Sequence, residues 1–262
     1  MKEILAAIDR GQDTLHRIGL IVIFVAVTGI WCFILNFGQL LNLFFKTALL
    51  IGWYAVAIQL ITWGFWFTWQ GWIFPRNTGR SVQTGPIRQY RKAFYSDILP
   101  GVSLGVALMV RPFGYGVLTV QAIFPLSWWI FPAILLLALG FGLLYSGFKS
   151  IGLARAGFLY EYQSTSQRLV QRGAYAYIRH PLFLGGVIAS IGASLLFHTE
   201  WTLILAIVNI AVLPIYQRIE DTRMSRLFGD EYARYCLSVG AFFPKLTMLR
   251  SLARNLLGQR RT

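Results

Sequence analysis

Long apolar runs alternate along the chain with short connectors that are polar and mostly basic. Ile18 to Phe37, Leu40 to Trp69, Trp128 to Phe148, Leu182 to Phe197 and Trp201 to Gln217 are nearly free of charge. A bilayer is crossed by about 20 mostly apolar helical residues, and these runs approach or exceed that length. Ile98 to Leu126 is less regular, because it carries Arg111-Pro112 and Pro125. Proline lacks the backbone donor a helix needs, so this run reads as one broken helix or as a helix followed by a loop. The pattern predicts an all-α, polytopic membrane protein with about six transmembrane helices. Only His198-Thr199-Glu200 separates the last two runs, which predicts a tight antiparallel hairpin. Such a hairpin brings its ends to one membrane face, so His180 before it and Glu220 after it are expected within reach of one ligand.

Composition agrees with a bilayer as solvent. The 262 residues are 56% hydrophobic and only 13% charged, outside the usual balance of a soluble domain. Lys and Arg number 24 against 10 Asp and Glu, a net charge of +14. Arg76, Arg80, Arg88, Arg91 and Lys92 share one connector, and Lys149, Arg155, Arg168, Arg172 and Arg179 another. The connectors near Gly38 and His198 carry almost no positive charge. By the positive-inside rule the two basic connectors and both termini are expected on the cytosolic side. Arg111 breaks this pattern, and the expectation is an interfacial side chain that snorkels to water. Basic residues scattered between apolar runs do not make the dense patch of a nucleic-acid-binding domain. The chain is therefore expected to bind no nucleic acid and to be an integral, multi-pass protein. A bacterial inner membrane and an endomembrane both fit. Cys32 and Cys236 have no spacing that suggests a disulfide framework or a zinc site.

Four regions follow from these patterns. Residues 1–17, mixed in charge and without the layout of a cleavable signal, read as an amphipathic segment on the membrane. Residues 18–148 form a four-span membrane region. Residues 149–244 hold the densest polar chemistry and the last two spans. Residues 245–262 form a basic tail without an acidic residue, read as an anchor to anionic headgroups.

No region is long enough for a soluble core of its own, so any chemistry must be built from connectors and span ends. The segment from Arg168 to Gly186 is dense in polar groups and runs directly into an apolar span. Arg179 and His180 precede Pro181, and proline suits the first turn of a helix. Both side chains then stand at a helix N-terminus, where free N–H groups favour a carboxylate. Gly185 and Gly186, one turn in, let a ligand or a neighbouring helix approach the backbone. After the last run comes Tyr216 to Tyr235, rich in charge. A carboxylate near a span end is costly unless paired, so Glu220 needs Arg218, Arg223 or a cationic ligand. Gly229 reads as a helix C-cap before a short helix that opens at Asp230.

Gly173-x-Tyr175, Arg179-His180-Pro181, the acidic pair Glu220-Asp221, Leu227-Phe228-Gly229-x-Glu231-Tyr232-x-x-Tyr235 and Phe243-Pro244 occur in this order around the hairpin. Together they resemble the isoprenylcysteine carboxyl methyltransferase family and its relatives among phospholipid and small-thiol methyltransferases, over roughly residues 167–244. The resemblance implies a cytosolic pocket for S-adenosylmethionine and a lipophilic acceptor that enters from the bilayer. It assigns cofactor contacts to Gln167, Arg168, Leu169, Val170, Tyr175, His180, Pro181, Leu182, Phe183 and Glu220, and implies no metal. The family often has tyrosine where Phe183 stands and glutamate where Asp221 stands. Its acceptor-binding arginine would align near Tyr216, with Arg218 a half-turn away, so Arg218 and Glu220 are the candidate catalytic residues.

The expected function is therefore methyl transfer from S-adenosylmethionine to a prenylcysteine-like carboxylate, a lipid or a thiol. Two alternatives stand beside it. A Tyr-Cys near the end, as at Tyr235-Cys236, is also found in NADPH-dependent sterol-type reductases. A non-catalytic transporter or scaffold would instead show internal repeats or polar residues inside its spans.

Overall fold

The computed structural model describes residues 14–45, 48–73, 90, 92–119, 128–152, 161 and 168–246. The apolar runs become helices, but the connector expected near Gly38 does not form there, because a lone glycine in an apolar run costs too little to end a helix. α1 (Thr14–Phe45) continues through it, followed by α2 (Ala48–Thr68), α3 (Leu99–Thr119), α4 (Ile130–Ile151), α5 (Pro181–Phe197) and α6 (Glu200–Ala211). The polar helices α7 (Leu213–Phe228) and α8 (Asp230–Ser238) follow. π-helical turns at Trp69–Ile73 and Phe94–Ile98 extend α2 and lead into α3. No strand forms among the described residues, only an isolated parallel bridge between Ile178 and Gly240. The all-α expectation therefore holds. Four stretches are long and apolar enough to cross a membrane: Gly19–Phe37, Phe94–Leu118, Ile130–Ile151 and Glu200–Phe228. Pro181–Phe197 is apolar but shorter, so the expected six spans are supported for four. Exposed large apolar side chains such as Ile21, Ile61 and Phe131 suit a lipid surround.

The hairpin forms as its sequence requires. Pro181 opens α5, and His198 closes it in the left-handed conformation. Thr199 caps α6, its hydroxyl accepting from the Thr202 N–H while Thr202 reciprocates. α6 and α7 run on as one rod, interrupted where Pro214 cannot donate to Ile210 O. The glycines of α5 serve a helix, not a ligand. At Gly185 a Cβ would stand 2.8 Å from Gly140 O on α4, so the two backbones pack in contact.

Pro112 does not break α3, which continues through it. The carbonyl that proline leaves without a helical donor is that of Leu108. It accepts instead from Gln59 Nε2 at 3.1 Å and Asn209 Nδ2 at 3.3 Å. Asn209 also donates to Ser190 Oγ and accepts from Gln59 and from Trp63 Nε1. One proline is thus the reason for a buried polar network that ties α2 and α3 to α5 and α6. Arg111 is part of the same core, and here the structure corrects the sequence. Its side chain is 0% exposed and does not snorkel. It donates to Ala55 O, Gln59 Oε1 and Leu35 O at 2.7 to 3.0 Å. Carbonyl oxygens of the surrounding helices thus solvate the two terminal nitrogens of the guanidinium, while Nε has no hydrogen-bond partner among the described residues.

The two ends of the bundle differ. Trp53, Trp128, Trp129 and Trp201 lie at one, Trp53 edge-on to Trp201 and Trp129 stacked on Trp128 and His198. At the other, Trp66 donates to Gly101 O and Leu182 packs against Gly147. The helix ends that border both basic connectors meet at this second end, beside the charged residues of α7.

Candidate functional site

The approach to α5 is fastened by the chain that follows α8. Gly173–Ala176 forms a single 3-10 turn, with φ of Gly173 at +60°. Arg179 N then donates to Gly240 O at 2.9 Å and His180 N to Ala241 O at 3.1 Å. Tyr235 OH donates to Tyr175 O at 2.6 Å, and Arg179 Nη1 to Val239 O at 3.3 Å. These bonds explain why motifs 60 residues apart in sequence belong to one site.

Asp221 is the hub. Oδ2 accepts from Arg179 Nη2 at 2.9 Å and Gln217 Nε2 at 3.4 Å. Oδ1 meets His180 Nε2 at 3.0 Å and accepts from the Tyr232 hydroxyl. Each oxygen has two partners, so the carboxylate's hydrogen-bonding capacity is filled from within. Burial, reinforced by the neighbouring Asp221 carboxylate, pushes the Tyr232 phenol well up and holds it as a donor.

Glu220, the next residue, turns to a different set of partners because successive helical positions point about 100° apart. Arg223 Nε donates to its Oε2 at 3.1 Å and Arg223 Nη2 to its Oε1. Gln70 Nε2, from the π-helical turn, also reaches Oε2 at 3.1 Å. Glu161 approaches Arg223 from the other side, Oε1 to Nη1, at 3.6 Å. Burial pushes the Glu161 carboxyl above the usual carboxylate range. Of the arginines expected beside Glu220, the partner is Arg223; Arg218 lies exposed on another face of α7. Beside Glu220, Gln70 Oε1 and Glu161 Oε1 are buried without a donor at hydrogen-bond distance among the described residues.

The residues singled out from sequence fall into three places. His180 is buried against Asp221, with its ring against Tyr216 and Phe242 at 5.5 Å centroid distance. Pro181 and Leu182 start α5, and Phe183 lies buried with its ring stacked on Tyr216 at 3.7 Å and 12°. Trp63 and Trp66 add rings to the same group. Val170 is buried, and Leu169 packs on the Met224, Tyr232 and Tyr235 cluster. Arg168 is exposed and lines a surface depression with Gln171, Glu231, Arg234, Tyr235 and Ser238. Tyr175 contributes its carbonyl to the clasp, and Gln167 lies outside the described residues. Sequence reasoning did not single out Asp221, Tyr232, Gln70 or Glu161 as site residues. Asp221 and Tyr232 stood within the quoted motifs, whereas nothing in the sequence marked Gln70 or Glu161. Among the described residues no three His, Cys, Asp or Glu side chains are grouped to hold a metal ion.

Comparison with known proteins picks out the same region. The cobalt-zinc-cadmium resistance protein CzcN of Cupriavidus metallidurans is 30% identical over 113 residues, 41% of this chain and 52% of the relative. The nickel-cobalt-cadmium resistance protein NccN of Alcaligenes xylosoxydans xylosoxydans is 34% identical over 118 residues, 42% of this chain and 53% of the relative. The chain thus spans about half the length of the curated relatives it matches. No solved structure matches it. The phospholipid methyltransferase family model matches residues 128–231, which take in α4, the α5–α6 hairpin and all of α7 with Glu220 and Asp221. Over those residues the chain carries the pattern of the phospholipid methyltransferase family of membrane methyltransferases.

Proposed function

We propose that this chain is an integral membrane methyltransferase that moves a methyl group from S-adenosylmethionine to a lipophilic acceptor. The observation that carries the reading is the division of labour in the acidic pair. Asp221 is used up in clasping α7 to the start of α5, while Glu220 beside it is buried next to acceptors that lack a hydrogen-bond donor among the described residues. Buried acceptors without a donor are uncommon, so their gathering beside Glu220 suits a ligand that brings donors.

The residues suit the cofactor. Glu220 would receive its ammonium, and the first turn of α5, ahead of the intrahelical bonds, its carboxylate. Phe183, Tyr216 and Trp66 offer aromatic faces to a sulfonium. Leu169, Val170 and Tyr175 would hold the adenosine side, with Arg168 at its mouth. When bound, the cofactor supplies an electrophilic methyl group. The protein then has to orient the donor, exclude water and present the acceptor in line. Arg218, exposed on another face of α7, would meet the acceptor. His180 holds Asp221 and is assigned no proton transfer.

In this reading six spans cross the bilayer, both termini and both basic connectors are cytosolic, and the acceptor enters between helices. The relatives' names concern resistance to cobalt, zinc, cadmium and nickel, and a part in metal tolerance through a methylated lipid or thiol belongs to the proposal. Calorimetry of the detergent-purified protein with S-adenosylmethionine, S-adenosylhomocysteine and NADPH tests it. Micromolar binding of the methyl cofactors is expected, with roughly tenfold loss in Glu220→Ala, the value of one charged contact. Binding of NADPH alone would favour a reductase, and no binding of either methyl cofactor would refute the proposal.

A further inference from the structure

One of the groups that hold Glu220 lies outside the family segment. Gln70 belongs to the π-helical turn after α2, is 2% exposed, and bonds a residue 150 positions away. π-turns of this kind redirect side chains and recur at functional sites. This one lies in van der Waals reach of α7: a Cβ at Gly71 would stand 3.7 Å from Ile219. Gln70 commits its amide nitrogen to Glu220 and leaves its amide oxygen buried without a donor among the described residues. Glu161 Oε1 is also buried, with Arg223 Nη1 at 3.6 Å, beyond hydrogen-bond distance, as its nearest cation among the described residues. Glu220 Oε1 receives a hydrogen bond from Arg223 alone among the described residues, so one of its lone pairs is open.

The charge count points the same way. Among the described residues, Glu161 and Glu220 share Arg223 as their buried cation, with Arg226 exposed nearby, so with both acids ionised the buried group carries a net −1. Buried polar atoms without partners are costly, and so is unbalanced buried charge. Water could supply donors but not charge. A primary ammonium supplies both, with three N–H donors and one positive charge on a compact head.

We infer that Gln70 and Glu161 complete, with Glu220, a subsite for a primary ammonium group, and that the N-terminal helices therefore form part of the site wall. The inference rests on the methyltransferase reading for the source of that group: the amino-acid moiety of the methyl donor, or the amine headgroup of an acceptor lipid. Gln70 is a positioning residue for Glu220 as well as a direct acceptor.

The test is calorimetric titration of full-length wild type, Gln70→Leu and Glu161→Gln with S-adenosylhomocysteine and with its deaminated analogue, in which hydrogen replaces the amino group. Wild type should bind the deaminated compound about tenfold more weakly. Both variants should lose about tenfold for S-adenosylhomocysteine and less than about twofold for the analogue, whose retained binding also shows that the variants are folded. Equal losses for both ligands would mean a merely structural role and would overturn the inference. If S-adenosylhomocysteine binding is unchanged in the variants, KM for phosphatidylethanolamine decides. A rise in that KM alone, with no change for an acceptor lacking an amine, assigns the subsite to the acceptor, and no rise overturns the inference. Failure of wild type to bind either nucleoside would instead strike the methyltransferase reading itself.

Discussion

Asp221 and Glu220 are adjacent acids that one sequence motif cannot tell apart, yet their surroundings give them opposite duties. Asp221 receives Arg179, Gln217 and Tyr232 as donors and contacts His180, so its loss leaves a buried guanidinium and imidazole without their partner. Asp221→Ala is expected to cost on the order of 3 kcal/mol of stability. Tyr232→Phe removes a single hydrogen bond and should cost about 1 kcal/mol. Thermal unfolding in detergent orders the two variants, and a smaller effect for Asp221→Ala would contradict the clasp. What the sequence made legible was that polar residues before and after the hairpin meet. Which acid faces which partner was not legible, because it depends on the rotation of α7 and on where the chain after α8 returns. The backbone bonds of Arg179 and His180 to Gly240 and Ala241 fix that return. Gln70 was illegible for a related reason: a lone glutamine at the end of an apolar run has no local signature, and its partner is 150 residues away.

At the scale of elements, apolar length and caps were enough to place the helices. Pro181 as first residue of α5, Gly229 closing α7 and the Thr199 cap of α6 all follow local rules. Arg111-Pro112 went the other way, since local rules allow a break and the helix continues. The reason is tertiary: Gln59 and Asn209 from other helices satisfy the carbonyl that Pro112 leaves open. This account predicts coupling. Asn209→Leu should destabilise by about 1 to 3 kcal/mol, since it leaves buried groups on Trp63 and Ser190 unpaired and removes one donor to Leu108 O. In a Pro112→Ala background the helix can bond Leu108 O itself, so the same substitution should cost less. A double-mutant cycle in detergent measures the difference. Strict additivity would mean that the network forms for some reason other than the proline.

For the molecule as a whole, the distribution of charge and aromatic rings forecasts orientation. The tryptophan cluster around Trp129, His198 and Trp201 sits at the end of the bundle opposite the Arg179, Glu220 and Asp221 group. Indole rings favour the membrane interface, and lysine and arginine are retained on the cytosolic side. The end that holds the acidic pair also borders both basic connectors, so it should face the cytosol. Single cysteines introduced at Arg88 and Arg172, with Cys32 and Cys236 replaced by serine, should react with an impermeant maleimide only after the membrane is opened. A cysteine introduced at His198 should react from the outside of intact cells or spheroplasts. Burial pushes the Cys236 thiol up, so in the native chain it should label more slowly than an exposed cysteine at the same face. Labelling of Arg88 and Arg172 from opposite sides would separate helix ends that the structure brings together. It would remove the basis for a site built jointly by the N-terminal helices and the hairpin.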